Sequence, residues 1–261
     1  MYQNLPPLTL FLPVLLIQLP LTHSWGPFTH QYFAKEDAVH GTSTTFVTGG
    51  SSPDSVKKLE GALHTFTFAS TLYLEAKKND NTDDLDFALG YGCHLAHDAV
   101  GHHLAGFLNP QEDHPLEFAV DTYVHLKLDN STFGQVTPRQ ELLIANASTS
   151  ASSIYPFIST VSLSQVQKSV SNFKKLTTAE SIALPLNRWT YSKQLVKDSY
   201  CNVTGINGAL VNFARATNWS KLACNRWQSL MTKGGVNGTE AQTMVENYIN
   251  ELFANHGQTS C

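Results

Sequence analysis

Charge is what this 261-residue chain has least of. Only 15% of its residues are Asp, Glu, Lys or Arg, and 17 basic against 21 acidic side chains give a formal net charge of −4 at pH 7. Binding to duplex nucleic acid normally rests on a basic stripe, so this balance weighs against such a module. It leaves open an enzyme that cleaves a short phosphodiester inside a metal cleft. Cysteine is scarce too: Cys93, Cys201, Cys224 and Cys261 form no C-x-x-C pair, which argues against a zinc site built on thiolates. Alternating strand patterns are few, and internal repeats and low-complexity linkers are missing, which excludes solenoids and long tethers.

Long hydrophobic runs are also lacking. The apolar stretch over residues 8–21, LTLFLPVLLIQLPL, is too short and too interrupted by Pro13 and Pro20 to cross a bilayer as a helix, so no transmembrane segment is expected. It reads as the core of a signal peptide, with small residues Thr22 and Ser24 before the cleavage point, although no Lys or Arg precedes it. The expected organisation is a signal peptide over 1–24 and one domain over 25–261 that begins at Trp25. Five N-x-S/T sequons, at Asn130, Asn146, Asn202, Asn218 and Asn237, agree with a secreted glycoprotein. The C-terminus carries neither a hydrophobic tail nor a retention tetrapeptide, which points outside the cell or to a lysosome-like compartment. Four cysteines allow three pairings, and nearness in sequence favours Cys201 with Cys224, leaving Cys93 with Cys261.

What the chain has is 42% hydrophobic residues, enough for a sizeable core, in helical order. After the Gly26-Pro27 turn signal, THQYFAKEDAV reads as a helix, and His40 to Gly50 as a loop. Ser52 and Pro53 are an N-cap and first-turn pair that opens a helix expected to run to about Lys78. Asn79-Asp80-Asn81 ends it, and a second long helix is expected from Thr82 to about Leu108. Asn109-Pro110 stops that one, and Pro115 starts another that reaches about Leu128. Ser162 with Gln165, and Thr239 with Gln242, form capping-box patterns ahead of apolar periodic segments, and Gly257 suits the stop of the last helix. The fold class is all-α: a single multi-helix domain with a metal cluster between helices, in which residues 129–261 complete the bundle and supply cleft walls.

The chemistry concentrates in His94 to Asp121, HLAHDAVGHHLAGFLNPQEDHPLEFAVD. Of eleven histidines, His94, His97, His102, His103, His114 and His125 fall within one short region. His94, Asp98 and His102 are spaced four apart, so on a helix they rise along one face. Imidazoles and carboxylates on an inward face are how a bundle builds a metal site, and zinc draws on both. A solvated surface face is the competing reading of these three residues taken alone.

Five segments then occur in order: WGPFTH, SSPDS, GALHTF, GCHLAHDAVGHH and HPLEFAVD. In these the chain resembles the zinc-dependent phospholipase C family, and within it the catalytic domain of glycosylphosphatidylinositol-specific phospholipase D. The fungal single-strand-specific zinc nucleases belong to the same superfamily. The resemblance covers about residues 25–125 and implies three zinc ions. It places His64, His94, Asp98 and Asp54 on the first, and His102, His114 and Glu117 on the second. The third takes His30, Asp98 as a bridge, and the α-amino and carbonyl groups of Trp25. An α-amine ligates zinc only when free and deprotonated, and its reference pKa of about 7.7 permits this. Trp25 follows the expected cleavage site directly. Two departures from the family pattern leave alternatives. His114 and Glu117 are separated by two residues rather than three, so Asp113 or Asp121 can replace one of them. His102 stands four after Asp98, as in the phospholipase D relatives, with His103 as its alternative. His97 and His125 match no family role and are open to either a supporting or a surface position.

The resemblance implies a secreted hydrolase that cleaves a phospholipid or glycolipid head group with zinc-activated water, Asp54 orienting that water or acting as general base. A zinc nuclease on single-stranded nucleic acid is the second reading. A catalytically silent glycoprotein that keeps the fold is the third.

Overall fold

The computed structural model describes residues 25–37, 39–57, 59, 61–105, 120–129, 133–183, 206–234 and 238–255. Among them lie nine α-helices and no strand, in one all-α domain. The helices are α1 (Pro27–Lys35), α2 (Thr44–Gly49), α3 (Pro53–Lys57), α4 (Phe66–Lys78) and α5 (Thr82–Ala105), followed by α6 (Pro138–Ile154), α7 (Leu163–Ala183), α8 (Ile206–Lys233) and α9 (Gly238–Asn255). A 3₁₀ turn at Gly61–Leu63 precedes α4, and a π-helical turn at Val124–Leu128 follows the helical residues 120–123. The expected signal peptide lies outside the described residues. Among the described residues no helix is long and apolar enough to cross a membrane.

Helix α5 is the axis of the bundle. Phe87, Ala88, Leu89, Tyr91, Cys93, Leu95, Ala96 and Val100 are all buried, so it is covered all round rather than on one stripe. Helices α8, α2 and α4 cover it most extensively, and α4 in turn packs on α6 and α9, and α6 on α7. The approach of α2 to α5 demands glycine: a Cβ on Gly90 would lie 2.1 Å from the carbonyl oxygen of Phe46. A smaller apolar cluster of Trp25, Phe33, Val120, Val124 and Ala216 ties α1 to the 120–128 segment and to α8.

Local capping explains most boundaries, including those that differ from expectation. The segment 40–50 is not all loop, because Ser43 accepts from the amide of Phe46 and opens α2. The helix expected from Pro53 to Lys78 is broken in two: α3 ends at Lys57, and Thr65 caps a new helix by accepting from the amide of Phe68. α1 begins at Pro27 and stops at Lys35, before Asp37 accepts the amides of Val39 and His40 in a turn. Asp80, at φ 46°, breaks the chain after α4 at the expected Asn79–Asn81 signal, and Asn81 then accepts from the amide of Asp84 to open α5. The Ser162–Gln165 box forms in both directions. α9 starts at Gly238, one residue ahead of the Thr239 expected to cap it, and Gly257 lies outside the described residues. Thr137 and Gln140 form a full capping box on α6 that the sequence reading missed.

The cysteine pairing is corrected. Cys93 is joined to Cys224, 131 residues away, and the bond staples α5 to α8. The favoured pairs Cys201–Cys224 and Cys93–Cys261 are therefore both wrong, and Cys201 and Cys261 lie outside the described residues. Nearness in sequence was a poor guide because the pairing follows from where α8 lies on α5.

Candidate metal centre

Three helices and one bend bring five of the expected side chains together. His30 comes from α1, Asp54 from α3, and His94 and Asp98 from successive turns of α5, while His64 stands between the 3₁₀ turn and α4. Asp98 is the hub. Its Oδ1 lies 3.1 Å from His30 Nε2, and its Oδ2 lies 3.2 Å from His64 Nε2 and 3.4 Å from His94 Nε2. Asp54 Oδ1 stands 3.6 Å from His94 Nε2 and 3.7 Å from His64 Nε2. The two Nε2 atoms of His64 and His94 approach to 3.0 Å. His30 stacks on His94 with ring centroids 3.7 Å apart.

These groups sit almost entirely out of water. The side chains of His30 and His94 have no exposure, and those of Asp54, Asp98 and His64 retain 5%, 8% and 12%, so the cluster reaches solvent on its His64 side. Burial pushes the His30 imidazole down, helped by the neighbouring His94. Burial also pushes His64 down to about 4. At His94 burial works in the same direction, but the Asp54 and Asp98 carboxylates outweigh it and raise the ring to about 9. Burial would raise Asp98, yet His94 and His30 outweigh it and hold the carboxyl well below the usual range. Two adjacent buried carboxylates among mostly neutral imidazoles are a site that gains from a cation.

The donors fit a metal ion. One set, His30, Asp54 and His94, and another, His64, His94 and Asp98, each place their ligand atoms within 4.8 Å of one another. His94 Nδ1 lies 3.1 Å from the Gly50 carbonyl oxygen, which can only accept, so Nδ1 carries the proton and Nε2 is the atom turned to the cluster. Among the described residues neither nitrogen of the buried His30 ring has a partner in hydrogen-bond geometry, although Nε2 lies 3.1 Å from Asp98 Oδ1. Nitrogen and oxygen donors without sulfur suit zinc among several divalent ions. The buried His and Asp groups can thus hold a metal ion.

The remaining expected residues divide. Trp25 is fully buried, its ring edge-on to Phe33 at 5.2 Å, and its indole N–H donates to the His97 carbonyl at 2.8 Å, which holds the start of α1 against α5. His102 and His103 lie on α5, but their side chains are outside the described part; His114, Glu117 and Asp113 fall wholly outside the described residues. Asp121 serves as a cap. It accepts from the amides of Phe28 and Thr29 at 3.2 and 2.8 Å and from the Thr29 hydroxyl at 2.6 Å, a role that Gly26 at the N-cap has no side chain to fill. Burial raises its carboxyl to about 7. His97 is buried, and burial holds its imidazole well below the ordinary range; His125 is half-buried with its ring against Phe28.

Three supporting features left little trace in the sequence. The Gly50 carbonyl belongs to a residue with no side chain, and the cap by Asp121 spans 92 residues to Thr29. Lys57 is nearly buried one turn after Asp54, and its charge adds to the lowering of His64; the i, i+3 spacing from Asp54 was the available signal.

No protein-family model matches the sequence, and neither a curated protein nor a solved structure matches it.

Proposed function

We propose that this chain is a secreted zinc-dependent phosphodiester hydrolase acting on phospholipid or glycolipid head groups. The observation that carries the reading is the convergence of His30, Asp54, His64, His94 and Asp98, which come from four of the five motifs of the resemblance. A protein that merely kept the fold would have no reason to bury two carboxylates against three imidazoles, with the His30 nitrogens left without a hydrogen bond among the described residues.

In this reading His64, His94, Asp98 and Asp54 hold one zinc ion, and His30 and Asp98, with Trp25, hold another. His102, His114 and Glu117 complete a set of three. When bound, zinc supplies Lewis acidity toward phosphoryl oxygens and makes water nucleophilic at neutral pH. The chain's own residues do the rest. The Gly50 carbonyl fixes the His94 ring, Asp98 spans the imidazoles, and Asp54, beside the His64 edge that meets solvent, orients the attacking water or takes its proton. The disulfide is compatible with an oxidising compartment, and Asn146 and Asn218 stand exposed on α6 and α8 as glycan acceptors.

The test is elemental analysis and N-terminal sequencing of the secreted protein, followed by hydrolysis assays on phospholipids, glycolipids and single-stranded nucleic acid. Roughly three zinc ions, Trp25 at the N-terminus and release of a lipid head group are expected. Cleavage of nucleic acid alone would move the protein to the nuclease branch. Metal-replete protein without zinc would leave the silent glycoprotein.

A further inference from the structure

We propose that Tyr91, which is not among the expected metal ligands, sets the position of His64 and thereby the metal affinity of the cluster; the inference rests on the metal-centre reading above. Four of the five clustered side chains ride on helices, and His64 does not. It occupies a bend, and it is the most exposed of the five. Local bonds shape that bend. The His64 amide donates to the Gly61 carbonyl at 3.0 Å, the Thr65 hydroxyl donates to the Ala62 carbonyl at 2.8 Å, and Thr65 caps α4. None of these fixes the bend relative to α5, where His94 and Asp98 stand.

Tyr91 makes that link. Its hydroxyl donates to the carbonyl of Leu63, the residue before His64, at 2.9 Å. The tyrosine is fully buried, and its ring is wedged edge-on between Phe68 at 5.6 Å and Phe87 at 6.3 Å. Burial raises the phenol well above its ordinary range, so it remains a donor at any working pH. Tyr91 precedes His94 by three residues and so lies within one turn of it on α5. One rigid side chain therefore spans from the helix that presents His94 to the backbone that presents His64, whose Nε2 atoms meet at 3.0 Å. Groups that hold a ligand in place commonly change metal affinity about 10–100-fold when lost.

A purely structural role for Tyr91 is separable by experiment. Tyr91→Phe keeps the ring and its two aromatic contacts while deleting the hydroxyl. Trp227→Phe is the control: it deletes another buried bond to α5, the indole N–H to the Leu89 carbonyl at 3.1 Å, which does not tie α5 to the backbone of the His64 bend. Zinc affinity of the metal-stripped full chain is measured by competition with a chromophoric chelator, and the visible absorption of the Co²⁺-substituted protein reports coordination. Tyr91→Phe should weaken zinc binding by roughly 10–100-fold and alter the Co²⁺ spectrum. Trp227→Phe should lower thermal stability and leave both readouts at wild-type values. Wild-type affinity in Tyr91→Phe, or an equal loss in Trp227→Phe, would overturn the proposal. A wild-type chain that binds no zinc would instead overturn the metal reading beneath it.

Discussion

His94 faces the Gly50 carbonyl through Nδ1 at 3.1 Å and the His64 imidazole through Nε2 at 3.0 Å. Because a carbonyl cannot donate, the first contact fixes a proton on Nδ1 and turns the opposite nitrogen to the cluster. The residue that supplies the carbonyl ends α2, where that helix crosses α5, so the helix crossing and the ring orientation are set by the same few atoms. Packing and chemistry are coupled here through the backbone.

Asp98 is the side chain whose loss should do most. It stands within 3.4 Å of three imidazole nitrogens from α1, the His64 bend and its own helix. Asp98→Asn keeps the shape and removes the charge. Under the proposed ligand assignment two zinc sites share this carboxylate, so bound zinc should fall at both, with affinity reduced by more than the roughly 100-fold that losing a supporting hydrogen bond costs. Elemental analysis after metal-replete purification measures it. Full metal content in Asp98→Asn would break the ligand assignment.

The parts legible in sequence were those decided within a turn or two of the chain. His94 and Asp98 are four apart on α5, so a helical pattern alone placed them on one face, and Asn79–Asn81 and Ser162–Gln165 mark boundaries through bonds made a few residues away. Pro53 opens α3 as expected, but the Ser52 hydroxyl donates back to the Thr48 carbonyl instead of capping it. The hidden parts depend on contacts across the fold. Thr65 looks like any threonine in an apolar run until Ala62 and Phe68 bond to it and α4 begins there. Asp121 reads only as an alternative ligand to His114 or Glu117, and nothing in the sequence announces that its carboxylate caps the start of α1. Cys93 and Cys224 meet only because α8 lies along α5.

That disulfide should be a large contributor to stability. It closes a loop of 131 residues between two buried helices, and removing such a crosslink typically costs about 2–5 kcal/mol. The Cys93→Ala/Cys224→Ala double variant should therefore unfold at markedly lower denaturant concentration. Peptide mapping without reduction should recover Cys93 joined to Cys224. Recovery of Cys201 joined to Cys224 would contradict this fold of α8 on α5.

Acid should act on the far end of α5. Asp84 is buried there, paired with Arg139 through Nε at 2.7 Å and Nη2 at 2.9 Å, and accepting from Asn79 at 2.8 Å. Burial pushes its carboxyl up, but the bonds from Arg139 and Asn79 outweigh this and hold it below the usual value. A carboxyl depressed by folding binds fewer protons in the folded state, so its stabilisation is complete above the unfolded pKa of about 3.9 and is lost as pH falls through the folded value. Arg139→Ala should destabilise the protein near pH 7, and the difference from wild type should shrink below about pH 4. Chemical denaturation at several pH values measures it, and a gap that stays constant into acid would deny the pair this role.

His97 gives the sharpest separation between ligand and bystander. It is buried beside His30, at 5.8 Å between ring centroids, yet neither of its nitrogens has a hydrogen-bond partner among the described residues. An imidazole in that state leaves a desolvated N–H unsatisfied, which costs about 1–3 kcal/mol, so an apolar side chain of similar size should be tolerated or preferred. Its backbone carbonyl, which holds the Trp25 indole, survives any substitution. His97→Leu should keep wild-type zinc content and match or exceed wild-type stability by about 1 kcal/mol. Zinc analysis and urea unfolding of the one variant decide the matter together. Lost zinc with intact folding would make His97 part of the metal centre, while lost stability with intact zinc would make its ring a packing element between His30 and Phe33.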